Sequence, residues 1–130
     1  RKAITDTLNV EIPELLYLPE GMAYQGSKIY NEIGCAEIQY SYNKGFLYLE
    51  ISNSLSDMSQ GSIKQNQEDE DETEEIETLS GKMNFVIKNI EEGKEQYTAR
   101  WEYKNVSYNF YGEISYEELM KILQNLSFSM

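Results

Sequence analysis

Strict alternation of apolar and polar residues runs through the second half of the chain and predicts antiparallel strands. Over residues 96–103 the odd positions are aromatic or apolar and the even positions are polar, which is the period of a strand with one buried face. Lys104-Asn105 forms a two-residue connection, and the alternation resumes over 106–110. Asn tolerates the left-handed geometry that such tight hairpins use. Together with a strand-like run at 83–90, these segments predict a meander.

A second hairpin is predicted nearer the N-terminus. Ile38, Tyr40 and Tyr42 alternate with polar residues, and after Asn43-Lys44-Gly45 the alternation resumes over 46–51. Two alternating runs joined by a short connection that contains Asn and Gly are typical of a β-hairpin.

The segment from about Ser115 to Leu126 is predicted to be an α-helix. Ser115 and Glu118 have the spacing of a capping box, and Ile114 and Leu119 occupy the two positions of a hydrophobic staple. Apolar residues then recur at helical spacing to form one stripe, which a sheet face can cover. The opposite face lacks the basic bias of helices that lie on membranes, so core packing is the favoured role of the stripe.

These elements predict an α+β fold in which a curved antiparallel β-sheet packs against a C-terminal α-helix. A chain of 130 residues fits one domain, so residues 1–130 are assigned to a single domain. Residues 8–12 alternate up to Pro13 and predict a short strand or extended arm. Residues 54–78 carry little apolar surface to offset an ordering cost of about 1–2 kcal/mol per residue, which predicts a long, mobile, acidic loop.

The charge of the chain restricts its partners. The net charge is −12, which repels a phosphate backbone, so nucleic acid is excluded as a partner. Eight of the acidic residues fall between 68 and 77. Consecutive carboxylates lack the alternating spacing that directs side chains at one Ca²⁺ ion, and a solvated loop is favoured over a cation site.

The sequence offers no catalytic, metal-binding or cofactor-binding motif. It contains no His, which excludes triad catalysis and most zinc sites, and no glycine pattern that cradles phosphate. Cys35 is the one cysteine, and a small buried side chain is favoured over a reactive thiol. The expectation is a non-enzymatic protein without a cofactor. A glycan hydrolase needs only two facing carboxylates, so composition leaves that reaction open.

Aromatic residues supply the candidate ligand site. Tyr40, Trp101, Tyr103 and Tyr108 could line a groove for a glycan or a peptide, because Tyr and Trp combine an apolar body with a polar tip. The alternative is that they fill one face of the sheet and its edges, and this packing role is the favoured one.

The order of these features resembles the bacterial domain-of-unknown-function 4367 family. Three segments carry the resemblance: residues 12–21 from Ile12-Pro13 to Leu18-Pro19-Glu20-Gly21, the hairpin with Trp101 to Tyr103 and Tyr108, and Gly112 to Leu119 leading into the helix. The acidic insertion at 67–77 and Met22 after the glycine depart from the usual pattern. The resemblance implies an extracytoplasmic domain of a membrane-anchored Gram-positive protein, in some cases anti-sigma-like, and it brings no catalytic residues.

The functional expectation that follows is a non-enzymatic extracytoplasmic sensor or interaction domain. Its partner would be an unknown protein, glycan or peptide. The sequence starts at Arg1 without Met, so any membrane contact is expected through an upstream segment. One alternative is a carrier that holds a lipid or apolar ligand between sheet and helix, in a cavity lined by Leu47, Leu49, Trp101 and Leu123. The third possibility is the carboxylate-dependent glycan hydrolase.

Overall fold

A computed structural model describes residues 12–53 and 73–128 of the chain. Nine strands, one short 3-10 helix at Asn31–Ile33 and one α-helix, α1, make up these ranges. Their bounds are β1 (Glu14–Leu15), β2 (Ala23–Tyr30), β3 (Cys35–Tyr42), β4 (Gly45–Asn53), β5 (Glu74–Thr78), β6 (Gly81–Asn89), β7 (Gln96–Tyr103), β8 (Val106–Glu113), α1 (Tyr116–Gln124) and β9 (Leu126–Ser127).

Seven of the strands form one antiparallel sheet in the order β2-β3-β4-β8-β7-β6-β5. This arrangement confirms the predicted α+β class, with an antiparallel sheet and a C-terminal helix. The sheet consists of two meanders, β2-β3-β4 and β5-β6-β7-β8, which meet where β4 pairs with β8. Strands β1 and β9 form a separate two-stranded pair that connects the two ends of the described chain.

Two tight turns set the register of the central strands. Asn43 and Lys44 have φ values of 51° and 68°, and Lys104 and Asn105 have φ values of 52° and 66°. A two-residue loop with positive φ at both positions matches the right-handed twist of the strands it joins. Both predicted hairpins are confirmed, with Tyr42 opposite Gly45 in the first and Tyr103 opposite Val106 in the second.

The inner face of the sheet forms the core together with α1. Alternate residues of β3, β4, β7 and β8 point to this face, and most of them are almost completely buried, as are Leu119, Ile122 and Leu123 of the helix. The largest of the fully buried side chains are Ile38, Leu47, Leu49, Ile51, Phe85, Tyr108, Phe110, Leu119, Ile122, Leu123 and Leu126.

Helix α1 begins as the sequence predicts and ends slightly earlier. The Ser115 hydroxyl accepts a hydrogen bond from the Glu118 backbone N–H at 3.1 Å, and Ile114 and Leu119 are both buried. Asn125 closes the helix, and its backbone N–H donates to Ile122 and Leu123 carbonyls. The predicted end at Leu126 is therefore two residues too late, because Leu126 pairs with Leu15 in the β9-β1 ladder.

Gly112 marks the closest approach between β8 and β4. Its φ is +147°, and a Cβ atom at this position would lie 2.6 Å from Leu47 Cδ2 and 2.8 Å from the Phe46 carbonyl oxygen. A side chain has no room there, so glycine is what lets the two meanders pair at this end.

Two further predictions concern the segments outside the central strands. The predicted arm at 8–12 and most of the predicted acidic loop fall on residues 1–11 and 54–72, which lie outside the described ranges. The loop prediction extended to residue 78, and this boundary is wrong. Glu74–Thr78 is strand β5, which pairs with β6 across a turn before Gly81 and buries Ile76 and Thr78. The sequence pattern predicts no strand at the position of β2.

Candidate ligand-binding groove

The outer face of the sheet, on the side away from the core, is formed by the polar residues of each alternating strand. The ladder registers align these residues into rows that cross the strands. The central row runs from β2 to β6 and contains Lys28, Glu37, Glu50, Asn109, Arg100 and Val86. A parallel row toward one end of the strands contains Tyr30, Cys35, Ser52, Ser107 and Glu102.

A cavity of about 720 Å³ lies over these two rows. This volume is within the range of roughly 300–1,000 Å³ that small-molecule sites occupy. We call the cavity the polar groove and define it by its outward-facing lining residues. These are Tyr30, Cys35, Glu37, Glu50, Ser52, Asn84, Val86, Arg100, Glu102, Ser107 and Asn109, with Ile33 and Thr73.

Two carboxylates face each other at the centre of the polar groove. Glu37 and Glu50 are directly opposite on β3 and β4, an arrangement that like charges make unfavourable. The Tyr111 hydroxyl lies 3.3 Å from Glu37 Oε2 and 3.2 Å from Glu50 Oε2. A tyrosine has one hydroxyl hydrogen, so it donates to one carboxylate at a time. The pair therefore retains acceptor capacity that a ligand donor can use.

Tyr111 is held in its protonated form by this environment. Partial burial raises its pKa above the ordinary value, and the negative charges of Glu50 and Glu37, together with its hydrogen bonds to them, raise the pKa further. Tyr111 thus remains a hydrogen-bond donor throughout the physiological pH range.

Asn109 is oriented from the neighbouring strand. Thr98 on β7 donates its hydroxyl hydrogen to Asn109 Oδ1 at 2.5 Å, and Asn109 lies between Glu50 and Arg100 in the central row. Because Oδ1 accepts this bond, the amide N–H groups are what Asn109 presents as donors. The central row therefore places two acceptors, the carboxylates of Glu37 and Glu50, beside two donors, the Asn109 amide and the Arg100 guanidinium.

An aromatic stripe continues from the polar groove along the outer face. The Tyr111 ring stacks on the Tyr48 ring at a centroid distance of 5.3 Å, and Phe46 follows at 6.4 Å from Tyr48. Phe46 is 49% exposed. We call these three residues the aromatic stripe. Strand β4 thus presents Phe46, Tyr48, Glu50 and Ser52 to the outside in succession, from an aromatic end to a polar end.

Cys35 lies on the outer face and is half-buried. Its Sγ is 3.3 Å from Ser52 Oγ, and both residues line the polar groove. The expectation that Cys35 is a small buried side chain is wrong. Cys35 lies on the same face of β3 as Glu37 and Gln39, and this face points away from the core.

The four aromatic residues predicted to line a groove lie on the inner face or at its margin. Trp101 stacks on Tyr108 at 5.3 Å, and both are almost completely buried. Tyr103 stacks on Phe128 at 4.0 Å, and Tyr40 is buried beside a smaller cavity of about 270 Å³ that Leu15, Leu18 and Tyr24 also line. Trp101 and Tyr108 also line the polar groove. A ligand role for the four stays a prediction.

The Trp101 indole is the one buried side chain with an unsatisfied polar atom in the described part of the chain. Its Nε1 has no hydrogen-bond partner among the described residues, although buried indole N–H groups usually have one. Its ring is enclosed by Phe85 at 5.2 Å and by Tyr108.

The residues named for an apolar carrier cavity all lie in the core. Leu47, Leu49 and Leu123 are fully buried, and Trp101 is 4% exposed. None of the three leucines lines the polar groove or the smaller cavity.

The described ranges contain neither a cluster of metal-binding side chains nor a membrane-spanning helix. Residues 12–53 and 73–128 contain no group of three or more Cys, Asp or Glu side chains placed to hold a metal ion. In those same ranges no helix has the length and apolarity needed to cross a membrane.

Comparison with known proteins identifies the family of the chain. No curated protein and no solved structure matches it. Residues 12–126 match the family described as Domain of unknown function (DUF4367). This match begins before β1 and ends with β9, so it includes both meanders and α1, and it confirms the resemblance seen in the sequence. The chain therefore belongs to the DUF4367 family.

Proposed function

We propose that this chain is a non-enzymatic interaction domain of an extracytoplasmic sensor, and that it binds a polar ligand in the polar groove. The observation that carries the proposal is the cavity of about 720 Å³ over the central strands. Most polar faces of antiparallel sheets are simply solvated, whereas this one has the volume of a binding site with convergent polar groups.

The position of the groove supports a sensory role. It lies across the pairing of β4 with β8, where the two meanders meet. A ligand that contacts Glu50 on β4 and Arg100 on β7 bridges both meanders and stabilises their relative placement. Binding free energy at this place is therefore coupled to the stability of the whole sheet.

The extracytoplasmic and membrane-anchored location is part of the same proposal. It rests on the family resemblance, which implies a domain outside a membrane-spanning segment in Gram-positive bacteria. Expression of the full-length gene product with an epitope tag in this domain tests the location. Cleavage of the tag by protease added to intact protoplasts supports it, and protection until lysis contradicts it.

The binding proposal is tested by nuclear magnetic resonance. We expect a screen of a polar fragment library against ¹⁵N-labelled protein to give hits whose backbone amide shifts cluster at Glu37, Glu50, Arg100 and Asn109. The variant Asn109→Ala removes a central donor and is expected to weaken these hits several-fold. The matched control is Gln124→Ala, an exposed amide on α1, which leaves affinity unchanged.

Two results would contradict the binding proposal. One is a screen without hits at the polar groove. The other is a set of hits whose shifts cluster elsewhere and are unaffected by Asn109→Ala.

A glycan hydrolase is a second candidate, which the Glu37 and Glu50 pair favours. Both carboxylates contact one hydroxyl, at 3.3 and 3.2 Å, which sets an upper limit of about 6.5 Å on the distance between their Oε2 atoms; this limit admits the separation of about 5–5.5 Å found in retaining glycosidases. Release of reducing ends from an oligosaccharide, abolished separately by Glu37→Gln and Glu50→Gln, would establish turnover. Binding of the same oligosaccharide without product formation would assign the pair to recognition.

A further inference from the structure

The outer face combines two kinds of surface that meet at one residue. Tyr111 stacks on Tyr48 in the aromatic stripe and reaches Glu37 and Glu50 in the polar groove with its hydroxyl. A ligand that extends along β4 therefore meets an aromatic surface at one end and a set of hydrogen-bonding groups at the other.

The polar groove offers planar acceptors on one side and planar donors on the other. The carboxylate of Glu50, the amide of Asn109 and the guanidinium of Arg100 follow one another across β4, β8 and β7. Neighbouring strands are about 4.8 Å apart. A ligand matched to this row carries closely spaced groups that both donate and accept, and adjacent hydroxyls have that property.

The aromatic stripe complements the apolar face of a sugar ring. Phe46 is 49% exposed, although a large apolar side chain on a polar sheet face is more stable when covered. Its ring and that of Tyr48 are tilted by 41° and separated by 6.4 Å, and they offer one surface for C–H groups of a pyranose.

The charge of the groove disfavours one other ligand class. Glu37, Glu50 and Glu102 outnumber Arg100 in the groove lining, so an anionic ligand would be repelled.

From these observations we infer that the polar groove and the aromatic stripe together bind an oligosaccharide without acidic groups, neutral or amine-bearing. This inference rests on the proposed function and names its ligand class. The Phe46 and Tyr48 rings stack on one sugar unit, and Glu50, Asn109 and Arg100 bind the hydroxyls of the next.

A basic peptide is the competing ligand, since it also suits an acidic groove. The stripe favours the saccharide, because the rings of Tyr111, Tyr48 and Phe46 extend the site in the direction of β4 without adding a carboxylate. The experiment includes both ligand classes.

The test is a titration of ¹⁵N-labelled protein with four probes: chitotriose, its deacetylated form, trigalacturonate and tetralysine. We expect both chitosan-type trisaccharides to shift amides of the groove and of the stripe, and trigalacturonate and tetralysine to cause no saturable shift there. Phe46→Ala is expected to weaken trisaccharide binding about tenfold, the size of a lost aromatic contact. Leu79→Ala removes a side chain that is 57% exposed elsewhere and leaves binding unchanged.

Three outcomes overturn the inference. Saturable binding of tetralysine without either trisaccharide would identify a basic-peptide site, and the proposed function would stand. If polar fragments bind in the groove but none of the four probes does, the oligosaccharide class is wrong and the proposed function stands. Trisaccharide binding that is unchanged in Phe46→Ala, with a native amide spectrum, would place the sugar outside the stripe.

Discussion

The two faces of the sheet are formed by the same strands, but different interactions act on their residues. On the inner face of β8, Tyr108 and Phe110 are buried to within 2% of their surface, and packing determines which residue fits. On the outer face of the same strand, Ser107, Asn109 and Tyr111 are half-buried, and hydrogen bonding and charge determine what they do. The comparison separates residues that stabilise the fold from residues that are available for binding.

The largest expected effect is on the inner face. Phe110→Ala leaves a cavity where a ring is 1% exposed, and we expect it to lower the free energy of unfolding by about 4 kcal/mol. The neighbouring change Asn109→Ala, on the outer face, removes one hydrogen bond and is expected to cost about 1 kcal/mol. Urea denaturation monitored by tryptophan fluorescence measures both, and equal losses would break the distinction between the faces.

Gly112→Ala is expected to have the next largest effect. Its added methyl group would lie 2.6 Å from Leu47 Cδ2 and 2.8 Å from a backbone oxygen at φ +147°, so we expect a loss of about 3 kcal/mol. Gly26→Ala is the matched control, because a Cβ atom there meets nothing within 4 Å. A thermal melt of both variants checks this, and tolerance of Gly112→Ala would contradict the close approach of β8 to β4.

Glu50→Gln should raise the stability of the fold slightly, whereas the preceding changes lower it. It removes one of two like charges that face each other across β3 and β4, so we expect a gain of about 0.5 kcal/mol at low salt. The gain should shrink as salt rises, because screening weakens repulsion between accessible charges. Denaturation at two salt concentrations measures it, and a loss of stability would show that Glu50 has a favourable partner of greater weight than the repulsion.

The last effect concerns Tyr111 and is confined to high pH. Its pKa is raised in the folded state by burial and by Glu50 and Glu37, so the unfolded chain loses this proton first as pH rises above about 10. The stability that Tyr111 contributes is fully present below that pH and is lost between the unfolded and the folded pKa. In Tyr111→Phe the decline of stability from pH 9 to pH 11 should be shallower than in the parent protein. An identical decline would contradict the role of this hydroxyl.

Local sequence patterns predict the strands and helix that carry their own signals. The alternation at 96–110 and the capping pattern at Ser115 predict β7, α1 and the start of β8 within one or two residues, because hairpin turns and helix caps are set by neighbours in sequence. The end of β8 lies three residues beyond the alternation, at Glu113. Strand β2 shows no such alternation. It lies at the sheet edge, where six of its eight residues are exposed and no buried stripe is required.

The polar groove could be predicted in part. The two-residue turn at Asn43-Lys44 fixes the hairpin register, and counting back from it places Glu37 opposite Glu50. The rest depends on β8 pairing with β4, which brings Asn109 and Arg100 beside this pair. No local pattern specifies that pairing. The polar residues of these strands therefore have the sequence signature of an ordinary solvated face.

The junction of the two meanders also has a kinetic consequence. Each meander forms from strands that are close in sequence, whereas Leu49 meets Phe110 only after the intervening chain has closed. Formation of the seven-stranded sheet should therefore be limited by this long-range pairing. Closure entropy grows slowly with loop length, by about 0.6 kcal/mol per doubling. Insertions of variable length between β4 and β5 therefore cost little free energy. The connection between these two strands, which carries most of the acidic run, is where related chains can differ in length while keeping the same sheet.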